Sequence, residues 1–240
     1  MMMKTWAVAL FAAFSLLLTA CGAPATEQAT QGSYATITDD NGRTVSFDKK
    51  PERIVVTSAS FLEPLYAVGG SVVGRPDSKS KIPEAAKSAT NIGRVYQIDA
   101  EKVLALTPDL VILNRGMNEK LVETLAANNV KTLVLDMKSY ADVKREIGIF
   151  ATLTGEKAKG DELIQKMDAD IAAVRASIPQ EKKRVAIIHS TGQGLSVQLD
   201  GSIAGSIANM LGWENTAAGM PALDKNPDAA PYSMETLVAQ

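Results

Sequence analysis

Short apolar runs alternate with amphipathic stretches along most of this chain. Residues 34–38 and 43–47 alternate apolar and polar side chains on either side of Asn41-Gly42, and this pattern predicts a β-hairpin. The later runs are continuously apolar, which is typical of strands that are buried on both faces of a parallel sheet. These predicted strands are residues 53–57, 71–74, 110–113, 132–135, 184–189 and 195–199.

Helical periodicity separates these strands, so the sequence predicts an α/β fold. The predicted helices are residues 61–68, 99–107, 119–127, 140–153, 156–178 and 203–211. Thr154-Gly155 and Pro179 delimit the longest one, and about 22 residues at 1.5 Å each give it a length of roughly 33 Å. A helix of that length can join two α/β blocks. We therefore expect an N-terminal block at residues 34–154, a connecting helix at 155–179 and a C-terminal block at 180–240.

The first twenty residues have the pattern of a signal peptide. Lys4 precedes an apolar stretch at residues 6–18, which is too short to span a bilayer of roughly 30 Å as a helix. The stretch ends in Leu18-Thr19-Ala20-Cys21-Gly22, which resembles the lipobox of bacterial lipoproteins and would make Cys21 the lipidated residue. The alternative is an ordinary secretory signal with a coincidental cysteine. Residues 21–33 lack a hydrophobic period and are predicted to be a flexible tether.

Composition excludes several classes of function. The 240 residues include 25 Lys and Arg and 27 Asp and Glu, a net charge of −2, which gives no electrostatic footprint for nucleic acid. One His and one Cys exclude a zinc site built from these residues and a disulfide framework. No Gly-x-Ser-x-Gly motif is present, and a single His is the one candidate base, so an anchored hydrolase is disfavoured. We expect no enzyme and no intrinsic cofactor.

A weak internal repeat links the two predicted blocks. Asp99 and Ser233 each look like a helix N-cap followed two positions later by a glutamate, Glu101 and Glu235. A predicted strand follows the first copy, whereas the chain stops at Gln240 soon after the second. We therefore expect the sequence to be truncated at its C-terminus, with the second block incomplete.

Several segments together resemble the substrate-binding lipoproteins of ABC importers for iron-siderophores, haem and cobalamin. The motifs are PERIVV at residues 51–56, EPLYAVG at 63–69, VVG at 72–74 and IGRVYQIDAEKVLALTPDLVI at 92–112. The resemblance covers about residues 34 to 240. It implies two Rossmann-like lobes joined by one rigid helix, here with an incomplete second lobe, and a monomer that binds its ligand between the lobes. It also implies an extracytoplasmic protein, anchored by lipid, that delivers its ligand to an ABC permease.

The resemblance also assigns the two repeated glutamates. In this family one Glu of each lobe contacts arginines of the permease membrane subunits, which makes Glu101 and Glu235 candidates for docking. The alternative is that the helix dipole favours a carboxylate in the first turn, by about 0.3–1 kcal/mol.

Ligand residues are expected at the carboxyl ends of the strands, where open α/β sheets bind ligands. Arginines there would pair with carboxylates or phenolates of an iron complex, and the alternative for each is a solvated surface charge. The candidates at these ends are Ser58, Ser60, Arg75, Arg115, Tyr140 and His189. Arg94 and Tyr96 lie just before the predicted helix that carries Glu101 and are also expected to face the cleft.

Tyr96 and His189 are also candidate iron ligands if the cargo is haem. In haem-binding relatives a Tyr or Met near the Tyr96 position often serves as an axial ligand. The alternatives are an aromatic cleft wall for Tyr96 and a backbone-bonded strand end for His189. A lone His argues against capture of bare Zn²⁺ or Mn²⁺. A ferric siderophore is the first expectation, haem or cobalamin the alternative, and an anchored sensor without a transport partner the rival of another class.

Overall fold

The computed structural model describes residues 32–179, 181–192, 194–224, 226–232 and 234–235. The predicted signal peptide, Cys21 and most of the predicted tether lie outside these residues. The strands are β1 (Ala35–Thr38), β2 (Thr44–Phe47), β3 (Ile54–Val56), β4 (Gly74–Arg75), β5 (Thr90–Asn91), β6 (Gly93–Arg94), β7 (Gln97–Ile98), β8 (Leu110–Asn114), β9 (Lys131–Leu135), β10 (Arg184–Val185), β11 (Ile188–Thr191), β12 (Gly194–Gln198), β13 (Glu214–Asn215) and β14 (Ala229–Pro231). The helices are α1 (Leu62–Ala67), α2 (Ala100–Ala105), α3 (Leu121–Ala127), α4 (Tyr140–Thr154), α5 (Lys157–Ser177) and α6 (Ile203–Met210), with 3₁₀ turns at Ala59–Phe61 and Glu84–Ser88.

The predicted N-terminal hairpin is confirmed. β1 and β2 pair antiparallel, with Ala35 opposite Phe47, and Gly42 supplies the positive φ of 73° that the turn needs. The buried Asp39 carboxylate accepts hydrogen bonds from the Arg43 guanidinium at 2.6 Å and from the Val134 amide at 3.0 Å. Burial opposes ionisation, but these donors outweigh it and lower the pKa of Asp39. The hairpin is thereby attached to β9.

A parallel sheet forms the centre of the N-terminal part, as predicted. Its five strands lie in the order β5-β4-β3-β8-β9. The chain moves from β3 outward through β4 and β5, and then returns to β8 on the other side of β3. The strand order therefore reverses between β3 and β8, and ligands of open α/β sheets bind beside such a reversal.

Helices cover both faces of this sheet, because alternate residues of β8 enter different cores. Leu110 and Ile112 pack with Phe61 and Phe150 on the side of α1 and α4. Val111 and Leu113 pack with Val103 of α2 and Leu125 of α3 on the other side. Burial on both faces explains the continuous apolar run that the sequence shows for this strand.

The predicted long helix is confirmed as one unbroken element, α5. Gly155 ends α4 in the left-handed conformation at a φ of 76°, and α5 starts two residues later. Leu163 and Met167 pack against the core beside α4, whereas Ile171 and Val174 line a cavity of about 270 Å³ together with residues of α6. The helix thus contacts both the N-terminal part and the segment that follows it. The domain boundaries remain predictions.

The segment after α5 departs from the predicted pattern. The single strand predicted at residues 184–189 is wrong: β10 pairs in parallel with β13, whereas β11 pairs antiparallel with β12. The turn between β11 and β12 folds residues 188–191 back onto β12, so only Arg184–Val185 remain beside β13. With β14 added to β12, the described strands form a three-stranded antiparallel sheet and a two-stranded parallel pair. These strands do not form the second Rossmann-like sheet that was expected.

Within the described residues, no helix has both the length and the apolar character to cross a membrane.

Candidate functional site

A cavity of about 460 Å³ lies beside the loop that follows β9. Lys138 of this loop forms one side, and residues of β11, α6 and the loop before β14 form the other, among them His189, Ile203 and Asp228. The volume falls in the range of about 300–1,000 Å³ that is usual for small-molecule pockets.

A second cavity, of about 400 Å³, adjoins the first. Ser60, Ser139 and Tyr140 line it from the N-terminal part. Lys138, Ile203 and Ile207 line both cavities. We call the two cavities with these three shared residues the cleft.

The helix α6 gives the cleft an apolar wall. Ser202 caps this helix by accepting a hydrogen bond from the Gly205 amide at 3.0 Å. Ile203 and Ile207 are 60% and 50% exposed, although residues of their size usually lie in a core. Large apolar side chains exposed side by side often mark a binding surface.

Lys138 brings a positive charge to the cleft. Its Nζ lies 3.1 Å from Asp228 Oδ2 and 3.3 Å from Asp136 Oδ2. Partial burial acts to lower the pKa of Lys138, but the hydrogen bond to Asp228 and the charges of both carboxylates outweigh it and raise this pKa. The ammonium therefore stays charged at neutral pH.

Three of the predicted site residues, Ser60, Tyr140 and His189, line the cleft. Ser58 lies next to them, because its hydroxyl is 2.7 Å from that of Ser60. The Tyr140 hydroxyl donates a hydrogen bond to Asp168 at 2.8 Å, and burial together with this bond raises the pKa of Tyr140 to about 12. Its oxygen therefore connects α4 to α5, while the residue lines the cleft.

Arg94 and Tyr96 are brought together in a different place. They lie in the β6–β7 hairpin, where the Arg94 guanidinium donates to the Tyr96 hydroxyl at 3.1 Å, and Tyr96 is 65% exposed. The buried Asn118 donates to the Val95 carbonyl at 2.7 Å and so attaches the hairpin to the loop after β8, which carries the exposed Arg115. None of the cavities described above contains both Tyr96 and His189.

Arg75 has a structural task that its sequence position did not reveal. Its guanidinium donates to the carbonyls of Ala86 at 2.9 Å, Pro76 at 3.1 Å and Lys87 at 3.3 Å. These bonds hold the turn at Glu84–Ser88 against β4. A ligand would have to compete with them for the donors of Arg75.

Glu101 and Glu235 are both exposed. Glu101 occupies the first turn of α2, which Asp99 caps by accepting from the Lys102 amide at 3.1 Å, as predicted. The corresponding cap, Ser233, lies outside the described residues. Among the residues that the structure does describe, no three His, Cys, Asp or Glu side chains group together as a metal site.

The comparisons with known proteins agree with this architecture. Residues 54–240 match the periplasmic binding protein family. The chain is 26% identical to the ABC transporter substrate-binding lipoprotein YvrC of Bacillus subtilis, over 89% of this chain and 72% of the relative. It is 27% identical to the Fe(3+) dicitrate-binding periplasmic protein FecB of Escherichia coli, over 77% of this chain and 63% of the relative.

Solved structures show the same fold. An ABC transporter substrate-binding protein from Listeria monocytogenes superposes with a TM-score of 0.69 at 21% identity, covering 80% of this chain and 72% of that one. The homologues are substrate-binding transport proteins rather than enzymes, and their names include siderophore, haem and cobalamin binding. By its match over residues 54–240, the chain belongs to the periplasmic binding protein family.

Proposed function

We propose that this protein is an extracytoplasmic solute-binding protein, anchored through lipid on Cys21, that captures a ferric complex and delivers it to an ABC permease. A ferric siderophore is the first candidate ligand. The observation that carries this proposal is the cleft itself. It lies at the carboxyl edge of the parallel sheet and combines the charged Lys138 with the apolar wall of α6.

This combination of side chains suits an amphipathic anionic ligand. The Lys138 ammonium can donate to a carboxylate or phenolate, and Ile203 and Ile207 can cover an apolar body. We propose that residues 34–154 and 180–240 act as the two lobes and α5 as the bridge between them. Ligand that binds the closed arrangement better than the open one would then drive closure.

Haem is the second candidate because of the pairing of Arg94 with Tyr96. Tyr oxygen and His nitrogen are both axial ligands of haem iron; the Tyr96 hydroxyl accepts from the Arg94 guanidinium, and His189 lines the cleft. Cobalamin is a further candidate of the same transport class. An anchored sensor on the same fold would bind ligand in the same way but would have no permease.

Ligand titration tests the proposal. Trp213 lines a cavity beside α6, so its fluorescence is expected to report binding near that helix. We expect quenching with ferric dicitrate or a ferric hydroxamate, or a Soret shift with haem that is lost in Tyr96→Ala or His189→Ala. The control is a neutral, iron-free siderophore at the same concentration. Absence of binding to all of these probes and to cobalamin would refute the function.

A further inference from the structure

Lys138 is held between two carboxylates that come from distant parts of the chain. Asp136 lies two positions before it in the loop after β9, whereas Asp228 comes from the loop before β14, with the Nζ–Oδ2 distances of 3.3 and 3.1 Å given above. The Lys138 side chain remains 43% exposed and faces both cavities of the cleft. Its ammonium is therefore accessible to a ligand as well as to Asp228.

Hydrogen bonds hold the backbone of Asp228, and its carboxylate is partly exposed. Its carbonyl accepts from the Leu199 amide at 2.9 Å, and its own amide donates to Asn226 Oδ1 at 3.1 Å. Its Oδ1 lies close to Gly201, where an added Cβ would come within 2.9 Å of it. The carboxylate thus occupies space that only a glycine leaves open.

An ion pair that is partly exposed contributes little to stability, so its replacement costs little. An anionic ligand that approaches Lys138 would come close to the Asp228 carboxylate. Like charges repel at short range, so binding favours displacement of the Asp228 carboxylate. A ligand carboxylate that takes its place would satisfy Lys138, while Asp228 would turn to solvent.

A role for these contacts in ligand choice rests on the proposed solute-binding function. We propose that Lys138 selects ligands that carry an anionic group, and that Asp228 is the counter-ion that such a ligand displaces. Asp136 stays in place and keeps the lysine oriented.

The test compares variants that alter the pair in opposite ways. The probe is ferric dicitrate or haem, whichever the wild-type chain binds, since both carry carboxylates; cyanocobalamin, without net charge, is the comparison. Lys138→Gln is expected to lower affinity for the anionic probe at least tenfold, and Lys138→Arg to keep it within a few-fold. Asp228→Asn is expected to raise it about three- to tenfold, because the competing charge is gone. Gly201→Ala, which pushes the carboxylate aside, is expected to act in the same direction.

Lys166→Gln is the matched control, because Lys166 forms a lysine–aspartate pair with Asp170 at 2.6 Å outside the cleft, and it should leave affinity unchanged. If the Lys138–Asp228 ion pair only holds the cleft in shape, Asp228→Asn should weaken binding as Lys138→Gln does. That result would overturn the inference. Binding of cyanocobalamin alone by the wild-type chain would also overturn it while leaving solute binding intact. Thermal unfolding of each variant separates loss of affinity from loss of fold, and Asp228→Asn remains informative because its expected effect is a gain.

Discussion

Gly160 of α5 packs directly against Ala151 of α4: a Cβ atom on residue 160 would lie 2.5 Å from the Ala151 Cβ. Gly160, near the start of α5, is the residue of that helix that is buried. Its lack of a side chain allows α4 and α5 to approach this closely. Such a separation is too short for two carbon atoms, so α4 and α5 would have to move apart to accept a larger residue.

Gly160→Ala is therefore expected to destabilise the protein by about 1–3 kcal/mol through overpacking. Gly148 of α4 is the matched control, because an added Cβ there meets nothing within 4 Å. Gly148→Ala should stabilise by about 0.5–1 kcal/mol, as alanine does in a helix interior. Urea unfolding followed by circular dichroism measures both, and equal stability of the two variants would contradict the close packing.

Stability is expected to fall between about pH 5 and pH 8 because of Glu146. Its side chain is fully buried, and Oε2 has no hydrogen-bond partner among the described residues. Burial raises the pKa of Glu146 to about 8, the charge of Asp40 adds to the rise, and Arg145 opposes it. In this window the unfolded chain releases a proton that the folded state keeps, so unfolding becomes easier as the pH rises.

Glu146→Gln removes this titration. Each unit of pKa difference corresponds to about 1.4 kcal/mol, so the difference in unfolding free energy between wild type and variant should change by several kcal/mol across the window. Thermal and urea unfolding at several pH values measure it. Parallel curves for the two proteins would show that Glu146 is ionised in the folded state.

The docking hypothesis predicts a separation of transport from binding. Glu101→Ala combined with Glu235→Ala should abolish uptake through the permease and leave ligand affinity unchanged, because both side chains are exposed and neither lines the cleft. Glu123→Ala is the control, since Glu123 is an exposed glutamate in the first turn of α3. A large loss of affinity in the double variant would reject the docking role.

Asn118 is expected to hold the hairpin that carries Tyr96. Asn118→Ala removes its partly buried bond to the Val95 carbonyl, which should cost about 1–3 kcal/mol and loosen residues 93–98. Faster hydrogen–deuterium exchange of those amides would show the loosening. Asn128→Ala is the comparison, because Asn128 donates to the Thr124 carbonyl in an exposed bond at 2.8 Å and should matter less. Unchanged exchange at the hairpin in Asn118→Ala would contradict this role.

Local signals in the sequence were sufficient for much of the fold. Asn41-Gly42 predicted the hairpin, Gly155 predicted the end of α4, and apolar runs predicted β3, β8 and β9. The strand predicted at residues 71–74 is displaced, since β4 is Gly74–Arg75, and β5 was not predicted. The split of residues 184–189 between two sheets was not predictable, because it depends on where β12 and β13 lie.

The site was predictable only in part. Strand ends pointed to Ser60, Tyr140 and His189, which line the cleft. The bonds of Arg75 to backbone carbonyls depend on tertiary contacts that no spacing encodes. Asp228 lies in a loop whose sequence has no periodicity, and a backbone hydrogen bond to Leu199 sets its position. The sequence around Asp228 therefore could not identify it as the partner of Lys138, which lies far earlier in the chain.

The attachment of the hairpin to β9 has a consequence for self-association. β9 is the outermost strand of the parallel sheet, and Asp39 and Asp40 accept hydrogen bonds from the amides of Val134 and Asp136 on its open side. Carboxylates thus occupy donors that a neighbouring copy could otherwise use to extend the sheet. Copies of this chain are thereby kept from pairing strand to strand along this edge of the sheet.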